Sequence, residues 1–227
     1  MARATPEPGF SAQLRQRCAA DWEAATGHRF VEELLAGRVE PAVMRRYLVQ
    51  DYQFIDRFVA LLGAAIASAD SYAARLRLSR FLAMITSDEN TYFQRAFDAL
   101  GVPAAERDAP ALSETTRSFQ ALMGVAAESR SYARCLAVLC VAEWLYLSWA
   151  SRLEGPPPPD FVHAEWIALH ANEAFRDFVG WLRGELDRVG PAEADVCLAL
   201  FRRAVALERR FFDDLYGEGG AAPPRPA

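Results

Sequence analysis

Apolar residues recur along this chain at three- and four-residue intervals, and convincing two-residue alternation is absent, so the pattern predicts helices throughout. Phe10, Leu14, Cys18 and Trp22 mark one face of a first helix reaching Gly27. His28 to Ala36 predicts a second helix, stopped by Gly37. Pro41 is suited to the first turn of a long helix running to about Ala69. Ser71 opens a helix to about Ile85, and Ser87 opens another that ends at Gly101. Pro103 to Pro110 reads as a polar loop, after which Ser113 caps a helix ending near Ser129. The most apolar segment runs from Ser131 to about Leu153 and is terminated by Gly155 and the run Pro156 to Pro159. Phe161 to Val189 forms one or two helices with a break near His170-Ala171-Asn172, and Ala192 to Tyr216 forms the last. Helix lengths are too irregular for a solenoid, and one all-α domain over 10–216 is expected. Residues 1–9 then form a flexible N-terminus, and the Gly/Pro/Ala-rich stretch 217–227 a disordered tail.

Composition narrows the functional classes. A net charge of -5 gives no footprint for nucleic acid. All 25 basic residues are arginine, which excludes Schiff-base lysine chemistry and a P-loop lysine. Cys18, Cys135, Cys140 and Cys197 include no CxxC pair, so neither a zinc ribbon nor a thioredoxin-type centre is indicated. The N-terminus lacks the apolar core of a signal peptide, and Arg134 and Glu143 interrupt the stretch from Ala133 to Ala150 as a membrane span. A cytoplasmic protein without membrane contact is expected. His28, His163 and His170 fit no HExxH, and no repeated Glu-x-x-His is present, so neither a metal nor another cofactor is expected.

Three acids break apolar helical faces, where an unused charge is costly. Asp51 shares its face with Leu48, Phe54, Ile55 and Phe58, while Glu143 lies among Leu139, Cys140, Tyr146 and Leu147. Glu208 sits with Ala204, Val205, Phe211 and Phe212. Two readings stay open. Each carboxylate is held by an arginine such as Arg57, Arg117, Arg134 or Arg203, or the three converge and divide acid and base work. Spacing alone does not decide between them.

Several segments resemble the TenA/thiaminase II family. HRFVEELLAGRVEPAVMRRYLVQDYQF is similar to its opening signature, and SDENTYFQRAFDALGV, SETTRSFQALMGVAA, VAEWLYLSWA and LERRFFDDLY follow in family order. The resemblance covers residues 10 to 216 and implies a single-domain, haem-oxygenase-like helical bundle without haem, holding a small-molecule aminopyrimidine. It implies hydrolysis of the exocyclic C–N bond of 4-amino-5-aminomethyl-2-methylpyrimidine, or a close derivative, in thiamin salvage. It also implies a homo-oligomer, a dimer or tetramer. By the matching positions Asp51 contacts the pyrimidine, Glu208 acts as acid/base and Tyr146 lines the site. Phe54, Phe119 and His170 stand where one branch has tyrosines. Ala142 occupies the position of that branch's catalytic cysteine, and the adjacent Glu143 resembles the glutamate-bearing branch, which points away from thiamin itself as substrate. A non-catalytic aminopyrimidine-binding or effector-binding protein and a metal-dependent oxidase on the same fold are the rival expectations.

Overall fold

A computed structural model describes residues 8–217, and all regular structure within them is helical. The expected flexible start at residues 1–7 and the tail at 218–227 lie outside the described residues. The elements are α1 (Phe10–Arg17), α2 (Ala19–Thr26), α3 (Arg29–Leu35), α4 (Pro41–Ser68), α5 (Tyr72–Met84), a π turn (Ile85–Glu89), α6 (Asn90–Ala99), α7 (Ala104–Asp108), α8 (Glu114–Glu128), α9 (Tyr132–Ala150), α10 (Phe161–Ala171), α11 (Glu173–Val189) and α12 (Ala194–Asp213). Short 3₁₀ turns, Gly190–Glu193 and Asp214–Tyr216, flank α12.

Local chemistry sets most boundaries. Ser71, Ser113, Ser131, Asp160 and Asn172 each accept a backbone N–H from the first turn of the helix they precede, filling an otherwise unpaired donor. Pro41 occupies the first turn of α4. Gly37 and Gly101, at φ +64° and +63°, close α3 and α6. The following N–H groups of Arg38 and Val102 return to Glu33 and Phe97, a reversal that needs the left-handed backbone glycine tolerates.

The structure departs from the sequence reading in four places. The first predicted helix is two, because Cys18 leaves the helical conformation (φ -117°, ψ 16°) and its N–H bonds to Arg15. Ser87 does not start a helix: its hydroxyl donates to the carbonyl of Ala83 one turn back, and α5 runs into α6 through the π turn. The segment between Pro103 and Pro110 contains the short α7, and the final helix starts at Ala194 rather than Ala192.

Helix α9 forms the axis of the core. All but Arg134 and Ser148 of its 19 residues are buried, and α2, α4, α8, α10, α11 and α12 pack around it. Among the described residues it alone has the length and hydropathy to cross a membrane, and its surroundings explain that composition: an all-round apolar helix suits the centre of a bundle. Such a packing surrounds anything polar on α9 with protein on every side.

Candidate functional site

A narrow pocket opens against α9, lined by Asp51, Phe54, Ile55 and Phe58 from α4, Ile85 and Glu89 from the π turn, and Ala142, Glu143 and Tyr146 from α9, with Trp166 and His170 from α10 completing the wall. Of the seven site residues expected from sequence, Asp51, Phe54, Glu143, Tyr146 and His170 lie on this surface. Phe119 and Glu208 do not. Phe119 is buried one layer back and presses edge-on against Phe54, with ring centroids 4.9 Å apart. Glu208, 2% exposed, lies within electrostatic reach of Asp51, Tyr47 and Tyr146.

The reading in which arginines hold the acids is overturned. Among the described residues, Asp51, Glu143 and Glu208 make no side-chain hydrogen bond and no ion pair. Arg134 binds Glu193 at 2.5 Å, Arg57 lies 3.7 Å from Asp56, Arg117 donates to the carbonyl of Leu112, and Arg203 is exposed. A fourth acid joins the three: Glu89 is 6% exposed, lines the pocket and lacks a partner. Sequence reasoning missed it because Ser87-Asp88-Glu89 looks like the acidic first turn of a helix. The signal against that reading was a buried-type run continuing unbroken through Leu78, Phe81, Ile85 and Glu89 to Phe93.

Burial without counterions shifts every one of these groups the same way. Loss of water pushes the Asp51 carboxyl up to about 8. Loss of water, with Asp51 nearby, pushes Glu89 up to about 8. Glu143 is driven well above the usual carboxylate range by burial and then by Glu89, Glu208 and Asp51. Glu208 rises through burial and Asp51. The empty pocket therefore holds mostly protonated acids near neutral pH, and a cation entering it would draw out one or more of those protons.

The neutral groups are oriented by hydrogen bonds. Trp166 Nε1 donates to the Tyr47 hydroxyl at 3.1 Å, and the Tyr47 and Tyr146 oxygens are 2.9 Å apart. An indole nitrogen only donates, and Tyr146 offers the acceptor within reach of the buried Tyr47 proton. Tyr47 therefore donates to Tyr146, which leaves the Tyr146 proton to point at whatever fills the pocket. Likewise His170 Nδ1 donates to the carbonyl of Trp166 at 2.8 Å, so Nε2 keeps its lone pair. Burial among Tyr146, Trp149, Trp166 and Phe175 lowers its pKa to about 4 and keeps the ring neutral. Asn172 fixes the turn behind it, accepting from Phe175 N while donating to the carbonyls of Ala168 and Leu169. The predicted break near residues 170–172 is thus what sets the position of His170.

No thiol lines the pocket among the described residues. Ala142 presents a methyl there, and Cys140, two residues earlier on α9, is fully buried off that surface. The pocket can stack a flat ring against aromatic walls, exchange protons at several carboxyls, and offer one hydroxyl donor and one imidazole acceptor.

Known proteins share both sequence and fold. A relative from Halalkalibacterium halodurans called aminopyrimidine aminohydrolase is 24% identical over 92% of this chain and 96% of its own length. One of the same name from Bacillus subtilis is 28% identical over 75% of this chain and 72% of its own. Among solved structures, a TenA homologue from P. horikoshii OT3 superposes with a TM-score of 0.82 at 18% identity, covering 92% of this chain and 99% of that one. A protein from Silicibacter sp. TM1040, described as a TenA family transcription regulator, gives 0.80 at 20% identity over 92% and 96%. At these identities the structural likeness shows the fold, the helical bundle of TenA homologues. The sequence profile of the TENA/THI-4/PQQC family matches residues 15–216, nearly the whole described chain, and the chain belongs to that family.

Proposed function

We propose that this chain is an aminopyrimidine aminohydrolase that replaces the exocyclic amine of 4-amino-5-aminomethyl-2-methylpyrimidine, or a close derivative, with hydroxyl in thiamin salvage. The observation that carries the reading is the set of buried carboxyls around an aromatic pocket, none with a counterion among the described residues. An alkylamine is protonated near neutral pH, and such a cation supplies the missing positive charge. The name shared by the two relatives supports the same substrate class.

In this reading Phe54, Phe58 and Trp166 hold the pyrimidine by stacking and edge contacts. Asp51, backed by Glu208, exchanges hydrogen bonds with the ring's amino group and nitrogens, while the Tyr146 hydroxyl and His170 Nε2 fix its orientation. Entry of the ammonium stabilises negative charge in the pocket and draws protons from its acids, including Glu143, whose carboxyl carries the most like-charge pressure. Glu143 then removes a proton from the water that attacks the methylene carbon. Ala142 leaves room beside it and offers no nucleophile, so a covalent thioether step has no residue to perform it.

Mass spectrometry of reactions with 4-amino-5-aminomethyl-2-methylpyrimidine, its N-formyl derivative and thiamin tests the proposal. Wild type converts the aminomethyl compound to the hydroxymethyl product, and Glu143→Gln lowers kcat/KM about 10²–10⁴-fold, the usual contribution of a positioned general base. Failure of wild type to convert any of the three compounds overturns it. The exposed apolar side chains of Tyr72 and Leu76, beside a groove of Phe81, Met84, Phe175 and Phe178, support self-association as part of the same reading.

A further inference from the structure

In the pocket Asp51 is backed by Glu208 and the Tyr47–Tyr146 pair. Within electrostatic reach of Asp51 stands the π turn, whose first and last residues, Ile85 and Glu89, both face the pocket. Ile55 and Ile85 also line a second, outer cavity of about 530 Å³, together with Tyr52, Asp56, Thr86 and Asn90. The two isoleucines are thus a shared wall between the pocket and the surface cavity.

π turns widen a helix by one residue and concentrate at functional sites. This one brings in an acid that is 6% exposed, has no partner among the described residues and is the first carboxyl to act on Glu143. A structural acid in that position would be bonded to something, since an unsatisfied buried carboxyl costs stability and gives nothing back.

We propose that Glu89 is a catalytic residue, distinct from Glu143 and Asp51, that receives the leaving nitrogen and carries its proton. The inference rests on the aminohydrolase reading. The substrate enters as an ammonium held by the Glu89 carboxylate. The C–N bond breaks with its electron pair on nitrogen, giving ammonia, while a water oxygen bonds to the methylene carbon and loses a proton to Glu143. That proton passes to the ammonia through Glu89, and ammonium departs past Ile55 and Ile85. The sum is R–CH₂–NH₃⁺ plus water giving R–CH₂–OH plus ammonium, with both carboxyls restored.

The test compares two leaving groups in wild type and Glu89→Gln. One substrate is the aminomethylpyrimidine, whose nitrogen must be kept protonated. The other is the same pyrimidinylmethyl group on a quaternary pyridinium, which departs as neutral pyridine and needs no proton. Glu89→Gln loses about 10²–10⁴-fold in kcat/KM on the first and less than about tenfold on the second. Equal losses on both, or no loss on the first, overturn the proposal. Calorimetric binding provides an arm independent of turnover: wild type binds the aminomethyl compound more tightly than the neutral hydroxymethyl compound, and Glu89→Gln reduces that preference at least tenfold. An unchanged preference overturns the proposal as well. If wild type turns over neither substrate, the aminohydrolase reading fails while the binding arm still decides the role of Glu89. Glu89→Asp, which keeps the acid but withdraws it by one methylene, is measured in parallel should Glu89→Gln not fold.

Discussion

Acidic residues at the surface and at the centre of this bundle live under opposite rules. At the surface several are paired with arginine: Arg95 meets Glu165 through two contacts of 2.8 Å, and Arg188 bridges Asp70 and Glu185. Water and salt weaken such pairs, so each contributes little to stability. At the centre, four buried carboxyls have no arginine beside them among the described residues; Asp51 drives the other three further toward the protonated form, and Glu89 and Glu208 add to the effect on Glu143. A chain with 25 arginines could have neutralised them. Among the described residues none stands beside them, and in the proposed reading the ligand supplies the positive charge.

The comparison is broken most severely by removing a central carboxyl. Asp51 keeps its proton to about pH 8 in the folded state, whereas an unfolded aspartate loses it near 3.8. The folded chain therefore binds more protons than the unfolded chain across that window, and stability falls as pH rises through it. One pKa unit is about 1.4 kcal/mol, so a single group costs up to about 4 kcal/mol between pH 5 and pH 8. Asp51→Asn is expected to raise Tm by up to about 10 °C at pH 8 and far less at pH 5, as read by thermal melting, while activity collapses. A variant no more stable than wild type at pH 8 would show that water or ions relieve the burial of Asp51.

A middle-sized effect comes from the neutral network. Tyr146→Phe leaves the buried Tyr47 proton without its acceptor, and a loss of about 1–3 kcal/mol is expected, lowering Tm by roughly 3–10 °C. The sign is opposite to that of Asp51→Asn, which is what separates a satisfied polar group from an unsatisfied one. Smallest of all, Arg188→Ala should shift Tm by no more than about 2 °C, and high salt should erase even that. A large drop there would mean that the surface pairs are not the weak elements described.

How much of this was legible in the sequence depended on geometry within a single helix. Asp51 and Glu143 announce themselves because their apolar neighbours at three and four residues fix which way they point. The family likeness extended this to Tyr146 and His170. What one helix cannot reveal is what another places opposite it, so the absence of arginine partners and the convergence of the acids emerged only in three dimensions. Phe119 shows the same limit from the other side: its aromatic position was readable, but only packing places it one layer behind Phe54. Glu89 escaped for a different reason. Ser87-Asp88-Glu89 has the composition of an acidic first helical turn, which masked the apolar run that carries Glu89 inward through the π turn.

That turn has a consequence for how the site could have arisen. Each residue of an α-helix advances the chain by about 100°, so one extra residue between α5 and α6 resets the angular phase of everything after it. Deleting a residue from Ile85–Glu89 would leave a smoother helix, yet either Glu89 or the buried face of Tyr92, Phe93, Ala96 and Phe97 would turn away from the core. A change of one codon in length here thus couples the acid in the pocket wall to the hydrophobic packing of a whole helix, and neither can drift without the other.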